Sequence, residues 1–503
     1  MECSVDCILR AFTFKELGAY RKALGDSNEM LFNSFAYLLI FLPCVVVVTT
    51  LVRRFYSTTA AQACVLAASL IFYAWFSPSH LPYLLVSICC NVYLAHRITR
   101  AAQPQRKRWL QLAIVLNVGF LCAFKYVNFF LKAVSFVTHR HFLVPDLEFP
   151  LGISFFTVTQ IMYLVDCYED LLPPLTLFQH ASFVAFFPYV ISGPLAKAKR
   201  MLHQFGNTGT ATQPDWEMTA RGCFLISIGL FKKVVFAFVF GQIADFGFAV
   251  RGRLSALEAW TFVFAYTLQI YFDFSGYSDM AVGSALLLGV QIPRNFEAPL
   301  RSKSVIEFWR RWHISLSDFI TTYLYTPIVK AFRTATLFTS AVATLIAMTI
   351  AGLWHGPSGT FVLFGIIHGV GLVINQYWRK KKAPKIPAFF SWVLTFMLIA
   401  SAFAMFRSTS VHAGARMIAE LFSPLHPFAY NHLLTLHKAV SMKVFILPLL
   451  AGTVCAFYGR SSNDLERALQ PSLRTSVAFS LLTVVSWLFL NSNVPQEFLY
   501  FKF

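Results

Sequence analysis

Long apolar stretches alternate with short polar, basic or proline-containing breaks along almost the whole chain. The apolar runs cover 36–52, 61–76, 81–94, 109–134, 149–165 and 181–191, then 223–248, 257–272, 277–290, 337–354, 360–377, 389–406, 444–458 and 477–490. A helix needs about 20 apolar residues to cross a hydrocarbon core, so the longer runs predict spanning helices and the shorter ones re-entrant segments. Because the runs are continuous rather than alternating at period two, a transmembrane barrel is excluded. The expected fold class is all-α, a polytopic helical membrane protein.

The breaks carry the topology. Arg53-Arg54 follows the first run, Ser77-Pro78-Ser79-His80 separates the second from the third, and basic residues at 97–108 follow the third. Charged ends therefore alternate with polar ones as the positive-inside rule requires, and the chain entering the first span at about residue 36 faces outward. Pro173-Pro174, Pro188, Gly193-Pro194, Pro293, Pro299 and Pro327 interrupt helix further on. Residues 379–384, Arg-Lys-Lys-Lys-Ala-Pro, read as a loop. Residues 1–29 are mixed polar and charged, lack the pattern of a cleavable signal, and precede the membrane-like pattern, which begins at Met30. Met30 is the expected start, residues 1–29 an extension or weak cap, and 30–503 a single membrane domain.

Composition agrees with this pattern: 57% of the 503 residues are hydrophobic and 13% charged, outside the range of an ordinary soluble domain. The net charge of +19 could point to nucleic acid. Its basic residues, however, gather at span ends (53–54, 97–108, 197–200, 232–233, 301–311, 379–382), which is a topology signal, and no nucleic-acid partner is expected. The lipid bilayer is the expected environment. Ten cysteines are scattered without a CxxC or a zinc-like spacing, so they read as small buried apolar residues and no metal site is expected.

The candidate chemistry centres on Trp354-His355-Gly356-Pro357. Gly356-Pro357 disfavours helix and places His355 at a break between two spans, where only protein or a water-filled cavity can surround the backbone. An imidazole exchanges a proton near neutral pH without a permanent charge, so His355 is the candidate base. His368 lies thirteen residues on, about 20 Å along a helix, and reads as a brace between helices. In residues 306–320, Ile306, Trp309, His313, Leu316 and Ile320 recur at helical spacing, predicting an interfacial or re-entrant helix with His313 on its apolar stripe. That imidazole is either functional or a satisfied core histidine. Asp273 and Asp279 stand in apolar sequence and must meet an Arg, a His or backbone donors. Asp273 or Ser275 is also placed to cap a helix starting near Tyr277, so an orienting role is expected for both carboxylates.

Taken in order, several motifs resemble the membrane-bound O-acyltransferase (MBOAT) family, in its bacterial alginate O-acetyltransferase-like branch. They are Met30-Leu31-Phe32-Asn33-Ser34-Phe35, Leu70-Ile71-Phe72-Tyr73-Ala74-Trp75, Pro150-Leu151-Gly152-Ile153-Ser154-Phe155-Phe156, Tyr163-Leu164-Val165-Asp166, Phe187-Pro188 with Gly193-Pro194, the Asp273 and His313 motifs, Gly352-Leu353-Trp354-His355-Gly356 and Phe498-Leu499-Tyr500-Phe501-Lys502-Phe503. The resemblance implies a ring of helices around a thin centre reached from both faces. It implies that His355 is the active-site histidine, that His313 lines the same passage, and that Trp354, Asp273, Asp279 and His368 are supporting residues. It further implies acyl transfer, usually of acetyl, in the bacterial inner membrane. The expected donor is a cytoplasmic thioester such as acetyl-CoA, with no bound cofactor. The expected acceptors are hydroxyls of an exported polysaccharide, reached with periplasmic acetyltransferase partner proteins. Pro357 departs from the small non-proline residue expected there.

The residues fit that chemistry independently. Acyl transfer from a thioester to a hydroxyl needs a base within about 3 Å of the hydroxyl and donors for the developing oxyanion. The sequence holds no Gly-x-Ser-x-Gly elbow or Cys/His pairing to serve as a covalent nucleophile. Alternatives are D-alanyl or longer-chain acyl transfer, a proton-coupled transporter using the same His and Asp, and a non-catalytic scaffold indifferent to substitution of His355.

Overall fold

A computed structural model describes residues 30–491, apart from 77, 139–148, 208–214, 251, 333, 383, 425–426, 440–441 and 471, together with residue 499. The extension at 1–29, and the terminal motif except Leu499, lie outside the described residues. Those that are described form helices, turns and one isolated antiparallel bridge, Phe296 to Trp312. Among the described residues, eight helices are long and apolar enough to cross a membrane, so the protein is a multi-pass helical membrane protein.

In chain order the first helices are α1 (Leu42–Phe55), α2 (Thr58–Phe76), α3 (Leu81–Arg100), α4 (Gln105–Lys125), α5 (Val127–Thr138), α6 (Ile153–Tyr168), α7 (Leu177–Val184) and α8 (Ala198–Asn207). The middle of the chain gives α9 (Trp216–Phe231), α10 (Phe238–Ala249), α11 (Ala256–Leu287), α12 (Val305–Arg311), α13 (Ile314–Phe319) and α14 (Thr326–Ala331). The last part gives α15 (Leu337–His355), α16 (Gly359–Lys380), α17 (Ala388–Arg407), α18 (Val411–Leu421), α19 (Asn431–Ala439), α20 (Met442–Phe457), α21 (Ser462–Arg467) and α22 (Leu473–Asn491).

At the centre stands α11, buried without a break from 265 to 286. Its close neighbour is α9, and glycines explain the proximity. A Cβ on Gly229 would lie 2.5 Å from the Gly276 carbonyl oxygen, and one on Gly283 would lie 2.6 Å from that of Gly222. Each helix carries its two glycines seven residues apart, so the backbones touch at two levels, as small residues allow in membranes. The π-helical turn Lys232–Ala237 after α9 then lays two lysines against two carboxylates of α11. Lys233 meets Asp273 at 2.5 Å and Lys232 meets Asp279 at 2.7 Å.

The structure corrects several expectations. Runs 257–272 and 277–290 are one helix, capped at its start by Ser255 rather than by Asp273 or Ser275 within it. The carboxylates meet lysines, not Arg or His, and Asp273 adds the backbone N–H of Leu499 at 3.0 Å. Residues 109–134 divide into two helices at Tyr126, and 181–191 is no span: α7 ends at Val184 and the buried, non-helical segment 185–196 follows. Irregular backbone at membrane depth survives because protein encloses it. Cysteines differ from expectation in part: Cys44, Cys89, Cys90 and Cys455 are exposed, whereas Cys167 is buried as expected. A thiol is apolar enough to sit on an outer helix face at that depth.

One basic face collects the ends of α1, α3 and α16 and the start of α4. Arg106 there donates to the carbonyls of Cys167 (2.9 Å) and Tyr168 (2.6 Å), fixing the end of α6 at that level. Arg106 also bonds the exposed Asp170 at 2.6 Å and holds its carboxyl below the usual carboxylate range. The end of α15 lies at the opposite level, beside the end of α4 and the start of α6: Lys125 donates to the Trp354 carbonyl at 2.7 Å and the Trp354 indole to the Ser154 carbonyl at 3.2 Å.

Candidate active site

Residues 305–331 form a re-entrant hairpin. It starts near the basic face, where the Val305 N–H donates to Asn375 at 2.7 Å, one turn before Arg379 in α16. It returns there as well, since Lys197 pairs with Asp318 at 2.6 Å and the Tyr323 hydroxyl bonds Asp166, near the end of α6, at 2.8 Å. His313 is the apex. The expected continuous helix through 306–320 is broken here: α12 stops at Arg311, and His313 takes a left-handed conformation (φ 43°) before α13. The break has a tertiary cause. Asn295 accepts from the Ser315 hydroxyl at 2.6 Å, its carbonyl accepts from the Ile314 N–H at 3.0 Å, and the Glu297 N–H donates to the Arg311 carbonyl at 2.9 Å. A left-handed non-glycine residue costs about 1–3 kcal/mol, which these bonds offset.

Running from the basic-face side toward the opposite level, α15 brings His355 to the same cavity. The helix stops at His355, as Gly356-Pro357 predicts, and α16 starts at Gly359 with Ser358 as its N-cap. The two helices touch at small residues, since a Cβ on Gly352 would lie 2.3 Å from the Phe361 carbonyl oxygen. Both imidazoles line one cavity of about 20 Å³, room for roughly one water, together with Asp273, Trp309, Trp312 and Leu499. His355 is 7% exposed and ringed by aromatics, with Trp354 and Phe406 each at 5.2 Å and Phe364 at 5.7 Å. His313 is 1% exposed; its Nε2 is buried with no hydrogen-bond partner among the described residues.

The six expected residues separate into two groups. His355, His313 and Asp273 meet at the cavity, and Trp354 stands beside both rings, 6.4 Å from that of His313. Asp279 stays away, bound to Lys232 and to the Ser462 hydroxyl at 2.7 Å. His368 lies behind the wall: its Nδ1 accepts from the Trp309 indole at 3.3 Å and its ring stacks on Phe308, and these contacts join α16 to α12.

Two larger spaces adjoin the cavity. Toward the basic face, a space of about 550 Å³ is lined by Arg310, Arg379, Gln376, Thr344 and Trp309, the last shared with the cavity. Beside it, an apolar chamber of about 610 Å³ shares Leu316 with the cavity and is walled by Trp354. Sequence reasoning missed Lys125, Lys233, Arg310 and Arg379 as parts of this region. Lys125 was detectable, as a lone cation between Phe124 and Tyr126 in an apolar run, where an ionisable residue marks function by default.

A family model described as MBOAT, membrane-bound O-acyltransferase family, matches residues 99–403. The chain is similar to a peptidoglycan O-acetyltransferase of Helicobacter pylori, 32% identical over 87% of this chain and 90% of that protein. It is likewise similar to a probable alginate O-acetylase AlgI of Azotobacter vinelandii, 34% identical over 94% of this chain and all of the relative. Similarity also extends to a teichoic acid D-alanyltransferase of Streptococcus thermophilus, at 31% identity over 46% of this chain and 58% of the other.

Proposed function

The chain belongs to the membrane-bound O-acyltransferase family, and from that membership and the cavity shared by His355 and His313 we propose a specific reaction. The protein is an O-acyltransferase that moves acetyl from a cytoplasmic thioester, acetyl-CoA or another acyl thioester, to hydroxyls of an exported polysaccharide. It works in the bacterial inner membrane with its basic face in the cytoplasm, and periplasmic acetyltransferase partners carry the product chemistry onward. The observation that carries the reading is the meeting of the hairpin apex, His313, with the helix end, His355, across one small cavity.

The chemistry follows from those two rings. The neutral imidazole of His355 takes the proton of the acceptor hydroxyl as its oxygen attacks the thioester carbonyl carbon. The tetrahedral oxyanion accepts a hydrogen bond from Nε2 of His313, the buried ring nitrogen left without a protein partner, in the tautomer that protonates it. Collapse breaks the carbon–sulfur bond, and the His355 imidazolium returns its proton to the thiolate. The space lined by Arg310 and Arg379 suits the anionic part of the donor, since guanidinium groups match phosphate oxygens. The names of two relatives matched over most of the chain, one concerning peptidoglycan and one alginate, support a polysaccharide acceptor.

Acetyl is favoured over D-alanyl by the cavity itself. An alanyl ammonium would need an unpaired carboxylate, and Asp273 is already committed to Lys233 and the Leu499 N–H. Substituting His355→Ala is expected to abolish acetylation with membrane insertion intact; full activity in a correctly inserted variant refutes the assignment. Mass spectrometry of exopolysaccharide and peptidoglycan from cells with and without the gene identifies the acceptor.

A further inference from the structure

The turn that carries His355 is fastened from outside its own helix. An α-helix leaves its last carbonyls without intrahelical donors, and a terminal residue moves with them unless something else bonds those oxygens. Here α15 ends in Leu353, Trp354 and His355, and Gly356-Pro357 prevents the chain from continuing the ladder. The donors come from the end of α4. Lys125 Nζ donates to the Trp354 carbonyl at 2.7 Å, and the Tyr126 hydroxyl donates to the Leu353 carbonyl, which also accepts from the Gly356 N–H at 3.1 Å. The same ammonium reaches the Ser154 hydroxyl at 3.4 Å and lies 5.6 Å from the centre of the Phe149 ring. Ser154 in turn holds the Trp354 indole through its carbonyl.

A lysine this deep among apolar helices is expensive, and its stem could have extended toward water. Instead it ends on the carbonyl of Trp354, the residue preceding the base, at the negative end of the helix dipole, where a cation is favoured. Neither Lys125 nor Tyr126 lines the cavity at His355. Both meet α15 at the carbonyls of its last turn.

We infer that Lys125 and Tyr126 are positioning residues that clamp the C-terminal carbonyls of α15 and so fix the imidazole of His355 against the acceptor hydroxyl. The inference rests on His355 being the base. A displacement of about 1 Å in a reacting group can cost on the order of a hundredfold in rate, so the clamp should act on kcat rather than on donor binding.

The test uses the full chain in lipid nanodiscs, with acetyl-CoA as donor and alginate or peptidoglycan fragments as acceptor, reading thiol release per folded molecule. Lys125→Met is expected to lower kcat by about ten- to a hundredfold with KM for acetyl-CoA nearly unchanged. Lys125→Arg, which keeps a cationic donor, should recover a substantial part, and Tyr126→Phe should lower kcat less than Lys125→Met. Parental kcat in inserted Lys125→Met overturns the clamp, as does a loss that appears wholly in KM or in the folded fraction. Should Lys125→Met fail to fold, Tyr126→Phe decides the matter, because it removes one hydroxyl and parental kcat there also overturns the proposal. Activity in His355→Ala overturns the catalytic assignment itself, whereas an inactive His355→Ala beside an unaffected Lys125→Met overturns the clamp alone.

Discussion

Asp273 lines the cavity at His355 and is the one carboxylate there among the described residues, so its role separates a structural account of the site from a proton-relay account. Its Oδ1 lies 2.5 Å from Lys233 Nζ, with 6% and 2% of the two side chains exposed, and its Oδ2 accepts from the Leu499 N–H at 3.0 Å. Replacing Lys233 with Met leaves a carboxylate buried with a single neutral donor. Removing one partner of a buried pair costs about 3–5 kcal/mol in soluble proteins. Helices in lipid find substitute partners more readily, which points to the lower end of that range. About 3 kcal/mol is roughly two decades in the ratio of folded to unfolded protein. Removing both charges, as Lys233→Met with Asp273→Leu, takes away the stranded group and should restore most of that loss, because a buried ion pair gains little over an apolar pair of similar volume.

Thermal unfolding of detergent-extracted protein, followed by fluorescence-detected size exclusion, measures the series, with thioester turnover per folded molecule alongside. The expected order is parent, double variant, then either single variant, and the double variant should keep turnover because Asp273 holds the wall rather than moving protons. Single variants no less stable than the double refute the energetic coupling. A double variant as stable as its parent yet devoid of turnover refutes the structural role and gives the carboxylate a part in the chemistry.

Three further outcomes are expected. Gly352→Ala forces a methyl group to within 2.3 Å of the Phe361 carbonyl oxygen, so α15 and α16 must separate; a cost of about 1–3 kcal/mol should appear as a lower unfolding midpoint, together with slower turnover, and an unchanged midpoint would contradict the close packing. Substituting Arg310 and Arg379 together by Ala should raise KM for acetyl-CoA several-fold while kcat stays near the parent, because both groups line a space remote from the reacting atoms; an effect confined to kcat would remove that space from the donor's path. Replacing His368 with Phe deprives the Trp309 indole of its acceptor, at about 1 kcal/mol, and should leave turnover within a few-fold; abolished turnover in stable protein would make His368 a member of the site.

What the sequence made legible, and what it hid, divides by the distance over which the physics acts. Helices α2, α15, α16 and α17 were readable because an apolar run and its local stop signals lie in the same short window. Gly356-Pro357 was readable as a helix end for the same reason. By contrast, Asp273, Ser275 and Gly276 look like a break between two spans when seen locally. They continue one helix because Lys233, forty residues earlier, neutralises the carboxylate and because Gly276 accepts the backbone of α9. His313 shows the opposite error. Helical spacing from Ile306 to Ile320 is real, yet Asn295 and the Phe296–Trp312 bridge capture the backbone and turn it back. Both of these misses fall where a distant part of the chain overrides local preference, and both lie at the cavity.

That coincidence has a physical reason. An unbroken span presents side chains but no free backbone ends, and it keeps the two aqueous faces about 30 Å apart. To bring reagents from both faces to one point, a membrane protein must stop helices inside the hydrocarbon layer and satisfy the exposed backbone with protein groups. Here a hairpin from the basic face ends at His313, and α15, which starts on the same side and runs toward the opposite level, ends at His355. Measured along α15, Thr344, on the wall of the arginine-lined space, and His355 are eleven residues apart, about 16 Å or roughly half the core thickness. The broken ends are closed by Asn295, which accepts at the hairpin, and by Lys125 with Tyr126, which donate at the helix end. The polar residues tolerated at depth around this site are thus those that let two broken elements meet, and the short path between the faces is the consequence of breaking them.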